Sequence, residues 1–245
     1  MAADEEAYWA VPHPQLDAGL YIFSLSAGAR LGSGGTMEDF TALGIDDASF
    51  AFLGRFTYER ARTRYYAEYW AYAASNLHYL DHEVTWAGDT FLAAESVSVG
   101  FDFTYWGLGA EKILLDKPAF RLAASVGLNI ADINFSITDT ARGGSISETA
   151  PVLTVGVMGR FYLNDRWTIC LEMVGLSWTD LIGMDGGFFD PSGEYKSLDV
   201  GFMWSKGGIP AVRLGYRAFS MRFENTEEAV DMTFSGAYIG MDFRW

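Results

Sequence analysis

MTFSGAYIGMDFRW, residues 232–245, decides the reading of this chain. Counting back from Trp245, Phe243, Met241, Ile239 and Ala237 are apolar or small. Arg244, Asp242, Gly240 and Tyr238 stand between them. A strict period of two is the mark of a strand with two unlike faces. The strand runs to the last residue and ends on an aromatic.

Nine further segments upstream carry the same alternation. They lie near 18–31, 48–59, 61–74, 95–110, 118–135, 149–163, 166–179, 195–205 and 210–223. No sustained helical period, solenoid repeat or low-complexity linker separates them. Their connections alternate in length. Long segments are expected at Gly32 to Asp47, Ser75 to Ala94, Thr138 to Glu148 and Asp180 to Glu194, and an acidic one at Glu224 to Asp231. Short turns are expected near Arg60, at Glu111 to Lys117, at Leu163 to Arg166 and at Ser205 to Ile209. Hairpin strands with short turns at one end and long loops at the other describe an up-and-down barrel. A soluble sandwich has no reason to sort its loops this way.

Composition agrees with strands. Of 245 residues, 18 are Phe, 13 Tyr and 8 Trp, with 27 Gly and only 6 Pro, a mixture suited to pleated strands and tight turns. Charges interrupt every apolar run before the roughly 18 residues that a membrane helix needs. The net charge of −15 excludes a basic face for nucleic acid. The single cysteine, Cys170, forms no internal disulfide and excludes a Cys-rich zinc site.

The two faces sort as lipid and lumen. Phe50, Phe52, Phe56 and Tyr58 oppose Arg55, Thr57 and Glu59. Tyr65, Ala67 and Tyr69 oppose Arg62, Arg64, Tyr66 and Glu68. Val97, Val99, Phe101, Phe103 and Tyr105 oppose Ser96, Ser98, Asp102 and Thr104. The later strands set Arg121, Arg160, Glu172, Asp199, Arg213, Arg217 and Asp242 opposite apolar rows. The interior of a small barrel is nearly filled by side chains, and every apolar face is too bulky for it. The aromatic face is therefore expected outward, in lipid, in every strand. The polar face then forms an Arg–carboxylate network of Arg55, Glu59, Arg62, Arg64, Glu68, Asp102, Arg121, Arg160, Glu172, Asp199, Arg213, Arg217 and Asp242. Unpaired charges in so confined a space would cost several kcal/mol each. With about ten strands, a polar plug is favoured over an ion path.

The closing strand, the loop alternation and the dyad pattern together resemble the small outer-membrane β-barrels of Gram-negative bacteria, with OmpA-, OmpX- or omptin-like architecture. The resemblance covers residues 18–245. It implies an all-β transmembrane antiparallel barrel of about ten strands, eight or twelve being the alternatives. It also implies a periplasmic N-terminal tail at 1–17, and a closing segment, Ile239, Met241, Phe243 and Trp245, read by the barrel assembly machinery. Trp is the less common final residue. Residues 1–17 have no basic start followed by an apolar core, so the resemblance implies a signal peptide absent from this chain. Outer-membrane lipids and lipopolysaccharide are the implied partners of what is expected to be a monomer, and nucleic acid is not a partner.

Candidate sites lie in the loops. His78, Asp81 and His82 offer two imidazoles and a carboxylate for a divalent metal or a general base; a solvated loop is the plainer reading. No nucleophile motif accompanies them. The acidic groups Asp46-Asp47, Asp185 with Asp190, and Glu224 to Glu228 with Asp231 lack EF-hand spacing. No cofactor is expected, apart from a divalent cation held at the loops. Arg30 to Gly35 has neither the Lys nor the helix of a phosphate loop. Cys170 is expected to pack inertly in the lumen. Three functions remain: a structural or surface-interaction barrel, which is favoured, a narrow porin-like channel, and a rim hydrolase acting on lipid or peptide.

Overall fold

In the computed structural model the described residues are 13–31, 37–40, 42–45, 48–86, 88–177, 192–206, 210–224 and 228–244. Thirteen strands run in chain order: β1 (His13–Leu31), β2 (Glu38–Asp39), β3 (Ala48–Arg60), β4 (Thr63–Tyr79), β5 (Val84–Trp86), β6 (Asp89–Phe91), β7 (Ser96–Lys117), β8 (Phe120–Thr138), β9 (Gly143–Tyr162), β10 (Trp167–Ser177), β11 (Ser192–Trp204), β12 (Ala211–Glu224) and β13 (Glu228–Arg244). Ten of them form the wall in the order β1-β3-β4-β7-β8-β9-β10-β11-β12-β13, every neighbouring pair antiparallel. β13 returns to β1 from Gln15↔Arg244 to Leu31↔Glu228. That pairing closes the sheet into a barrel and removes its edges.

Strand length explains the layout. About 9–11 tilted residues cross a bilayer, yet β7 has 22, β9 has 20, and β1 and β8 have 19 each. Each long strand is thus about twice as long as a bilayer crossing requires, and along it the two faces exchange character. β7 shows the exchange within one strand. Its outward residues from the loop end are Ser96, Ser98, Gly100, Asp102 and Thr104, followed by Trp106 and Leu108. Its inward residues are Val97, Val99, Phe101, Phe103 and Tyr105, followed by Gly107, Gly109 and Glu111. β1 and β13 do the same. Leu20, Ile22, Ile239 and Met241 are exposed low on the wall, while Phe23, Leu25, Met232 and Phe234 are buried higher up.

This corrects the expectation that the aromatic face points outward throughout. Val97, Val99, Phe101, Phe103 and Tyr105 face the lumen, and Asp102 is on the outer wall, where Asn134 donates to it at 3.4 Å. On this upper half of the wall the outer face is polar, and the apolar face turns inward as in a soluble barrel. Two boundaries change with the strand lengths. The expected long loop Thr138 to Glu148 shrinks to residues 139–142, because β8 and β9 continue as paired strands through it. β1 begins at His13, inside the stretch expected to be tail.

The short turns gather at the other end. β3 and β4 join through Ala61 and Arg62, at φ 50° and 62°, the left-handed pair that a two-residue hairpin of matching twist requires. β7 and β8 join at Pro118-Ala119 rather than over Glu111 to Lys117. A register shift between Ile113 and Leu115 breaks the alternation there.

Candidate functional site: a charged layer beneath an aromatic core

The lumen holds two layers. On the turn side, a continuous chain of ion pairs crosses it. Arg121 Nη1 lies 3.2 Å from Glu59, and Glu59 Oε2 is 3.0 Å from Arg64 Nε. Arg64 Nη1 is 3.1 Å from Glu111, whose other oxygen is 2.5 Å from Arg55 Nη2. Arg55 Nη1 reaches Glu172 at 2.8 Å and Glu68 at 3.6 Å, and Glu68 takes Arg217 Nη2 at 2.6 Å. β3, β4, β7 and β8 are neighbours. Arg55–Glu172 and Arg217–Glu68 instead reach β10 and β12 across the lumen, tying opposite walls. Such charge-assisted contacts are short and directional.

Separate pairs complete the layer. Arg213 holds Asp199 at 2.8 Å, and the Tyr238 hydroxyl donates to the same carboxylate. Arg244 holds Asp242 at 2.7 Å, with Gln15 donating to Asp242 and Asp17. Arg121 forks onto Asp116 through two nitrogens, at 3.2 and 3.0 Å. Arg160 lines a cavity of about 20 Å³ with Asp17, Arg64, Cys170 and Arg213. A second cavity of about 40 Å³ lies against Glu68, Asp199 and Arg217. Each has room for a water or two. Arg62 sits in the β3–β4 turn. Gly109 and Gly127 leave room for the ring of Tyr66, since a Cβ at either would come within 2.5 and 2.6 Å of it. Arg55 in turn lies over that ring at 4.3 Å.

Above the charges is a dry aromatic core. Trp70 contacts Phe103 at a ring separation of 4.5 Å, Phe234 at 4.9 Å and Phe219 at 5.4 Å. Phe23, Phe101 and Phe135 extend the cluster upward. Edge-on and tilted rings at these separations attract beyond their burial alone. The Tyr105 and Tyr195 hydroxyls pair at 3.0 Å where the core meets the charges.

A cap covers the loop end. The β5–β6 hairpin and residues 37–40 and 42–45 bury Val84, Trp86, Phe91, Phe40, Leu43 and Ile45 over the core. Phe40 lies 4.3 Å from Phe135 and 5.4 Å from Trp86. Arg142 fastens the hairpin to the β8–β9 turn: it bonds Thr90 O at 2.5 Å and Glu95 and Asp139 at 2.7 Å each, and covers the Phe91 ring. Those contacts raise its pKa. Backbone N–H donors, from Leu92 and from Ala141, lead the lowering of Glu95 and Asp139.

The loop histidines do different things. His82 Nδ1 pairs with Asp81, and Nε2 lies 3.3 Å from Glu38, linking the two halves of the cap. His78 stands beside Gly44. Among the described residues, no three His, Cys, Asp or Glu side chains converge as metal ligands. The Asp81 and Glu38 hydrogen bonds raise the His82 pKa above its ordinary 6.5. A raised folded-state value means that this link is fully present below 6.5 and is lost as pH rises through the folded value. The His82 ring is expected to titrate above 6.5 by NMR, and Glu38→Gln to lower its midpoint. A midpoint at 6.5 in both forms would show that the link is absent.

Sequence reasoning missed Glu111, Gln15, Asp17 and Asp116. Glu111 and Asp116 fell in a presumed turn, and Gln15 and Asp17 in a presumed tail. Trp245, Asp46, Asp47, Asp185, Asp190 and Gly32 to Gly35 lie outside the described residues.

The outer membrane protease OmpT of Escherichia coli superposes with a TM-score of 0.59 at 10% identity, over 94% of this chain and 97% of that one. This chain has the fold of an outer-membrane β-barrel. The barrel also matches the transport unit of the autotransporter AIDA-I from Escherichia coli, with a TM-score of 0.45 at 6% identity over 94% and 88% of the two chains. The Ail attachment invasion locus protein of Yersinia pestis gives 0.37 at 12%, over 93% and 99%. No family model and no curated sequence matches the barrel.

Proposed function

We propose that this barrel sits in the outer membrane as a sealed, non-conducting protein with a structural or surface-contact role. In this reading the short turns and the N-terminal end of β1 face the periplasm, and the cap faces outward. A belt of exposed Leu20, Phe52, Leu108, Val155, Phe202 and Ile239 supports the lipid contact. The closing strand would be read by the barrel assembly machinery, after export on a signal peptide, and the barrel would stand as a monomer among envelope lipids. The observation that carries the sealed reading is the ring cluster about Trp70, which is buried across the full width of the lumen above the charged layer. OmpT is an outer membrane protease, but likeness of fold at 10% identity brings no activity with it. The two hydrogen-bond partners of His82 are both carboxylates, which gives a hydrolase reading no nucleophile.

Planar-bilayer recording tests this reading. Protein shown to be folded by heat-modifiable gel mobility is expected to give no steady single-channel current. A steady current that changes in an Arg64→Ala/Glu68→Ala variant would make the lumen a path and overturn the reading.

A further inference from the structure

Outside the charged layer, the lysines and arginines divide between the two ends of the barrel. At the cap end each one lies against a carboxylate. Arg30 is 3.2 Å from Glu224, Arg142 2.7 Å from Glu95, Lys196 2.5 Å from Glu194 and Arg222 3.4 Å from Glu224. The turn end differs. Arg60, Lys112, Lys117, Arg166 and Lys206 are exposed there, and none of them makes an ion pair among the described residues. Asp165 is the one exposed carboxylate beside them among the described residues. A chain of net charge −15 thus keeps its unpaired cations at one end.

The end of β7 shows how the sorting is built. Ile113 pairs with Ala123 and Leu115 with Leu122, so Leu114 is an extra residue in the register. A bulge of this kind re-aims the side chains beyond it. Lys112 and Lys117 are an odd number of positions apart and would face opposite ways in a straight strand. Here Lys112 pairs with Ala124 and Lys117 with Phe120, both on the outer face of β8. Leu114 and Leu115 are exposed between the two lysines. The acids turn the other way: Glu111 is buried with Arg55 and Arg64, and Asp116 is held by Arg121 at 3.0 Å. The row Arg60↔Thr63↔Lys112 adds a third cation from β3. Further round the wall, Trp167 and Trp204 pair in register beside Arg166 and Lys206, and aromatics in a barrel wall mark the membrane interface.

We propose that Lys112 and Lys117, with Leu114 and Leu115 between them and Arg60 alongside, form a binding site for an acidic glycerophospholipid. This rests on the membrane reading above, in which the short turns face the periplasmic leaflet, the one built of glycerophospholipids. The headgroup phosphate accepts from the lysine ammonium groups, and an acyl chain lies on the two leucines. Cations beside a membrane surface draw anionic lipid. The ammonium of a zwitterionic headgroup finds no free carboxylate here, because Arg121 already holds Asp116. The site therefore selects net negative charge.

Native mass spectrometry of the refolded full chain in detergent, with phosphatidylglycerol and phosphatidylethanolamine at equal concentration, tests the site. Phosphatidylglycerol is expected to be retained in preference. Lys112→Gln/Lys117→Gln is expected to weaken its retention roughly thirtyfold, about fivefold for each cation removed from an anionic surface. Lys196→Gln, at the other end and already paired with Glu194, should leave it unchanged, and heat-modifiable mobility shows that both variants fold. In the parent chain, raising the ionic strength is expected to release phosphatidylglycerol, since exposed charges are screened. Equal retention of the two lipids, retention indifferent to the double variant or to salt, or an equal loss in Lys196→Gln would overturn the site. So would sedimentation with purified peptidoglycan that the double variant abolishes while phosphatidylglycerol stays bound. If the membrane reading itself failed, no heat-modifiable folded species would form in detergent at all, a result distinct from a folded barrel with no headgroup preference.

Discussion

Glu111→Gln is expected to lower the stability of the folded barrel by about 3 kcal/mol or more, the cost of breaking a buried ion pair from one side. Glu111 is 0% exposed and serves two guanidiniums at once, Arg55 at 2.5 Å and Arg64 at 3.1 Å. Glutamine keeps the shape and one carbonyl acceptor but removes the charge, so both cations lose their shared counter-ion in a confined space. Arg55 keeps Glu172 and Glu68. Arg64 keeps Glu59 as a counter-ion, which Arg121 also uses, and the neutral side-chain carbonyl of Gln15 at 3.2 Å. The greater loss therefore falls on Arg64, and adding Arg64→Met to Glu111→Gln is expected to recover part of it. Asp102→Asn, on the outer wall, should change stability by no more than about 0.5 kcal/mol. Urea unfolding in detergent, followed by tryptophan fluorescence, reads all of these as midpoint shifts at constant slope. If Glu111→Gln and Asp102→Asn cost the same, the chain of pairs does not hold the walls together.

Trp70→Ala should cost about 3–5 kcal/mol, as removal of a large core aromatic does. The indole touches rings on three other strands, Phe103 on β7, Phe219 on β12 and Phe234 on β13. These rings are braced by the closed wall and cannot collapse into the space. The same void opens in the aromatic layer that fills the lumen, so bilayer recordings of this variant are expected to show a leak current that the parent lacks. Trp106→Ala makes the control. Trp106 is 52% exposed on the belt, where lipid or detergent fills the vacated volume, so its cost should be a small fraction of the other. Equal losses at the two positions would mean that the upper lumen is not a packed core.

Much of this architecture is legible in the residues. Alternation located all ten wall strands and the hairpin order. The inner-face arginines 55, 64, 121, 160, 213 and 217 could be read directly, because each stands on the small and polar face of an alternating strand, opposite Leu, Val, Phe or Tyr. Glu111 could not. Ile113, Leu114 and Leu115 hide the strand at the register shift, since three apolar residues in a row do not alternate. Asp102 was read on the wrong side for a different reason. It alternates with Phe101 and Phe103 as Arg121 alternates with Phe120 and Leu122, and nothing local separates the two cases.

By itself the sequence determined that this chain is a set of two-faced strands, that short turns collect at one end, and that arginines and carboxylates share one face. Only the tertiary structure decided which face is inside at each height, and which arginine meets which carboxylate. A period of two distinguishes two faces but gives neither a direction. The direction follows from what each height of the closed wall encloses, the charged layer below and the aromatic core above. The pairing follows from cross-strand register and from the width of the lumen, which set Arg55 against Glu172 and Arg217 against Glu68, residues separated by 117 and 149 positions along the chain.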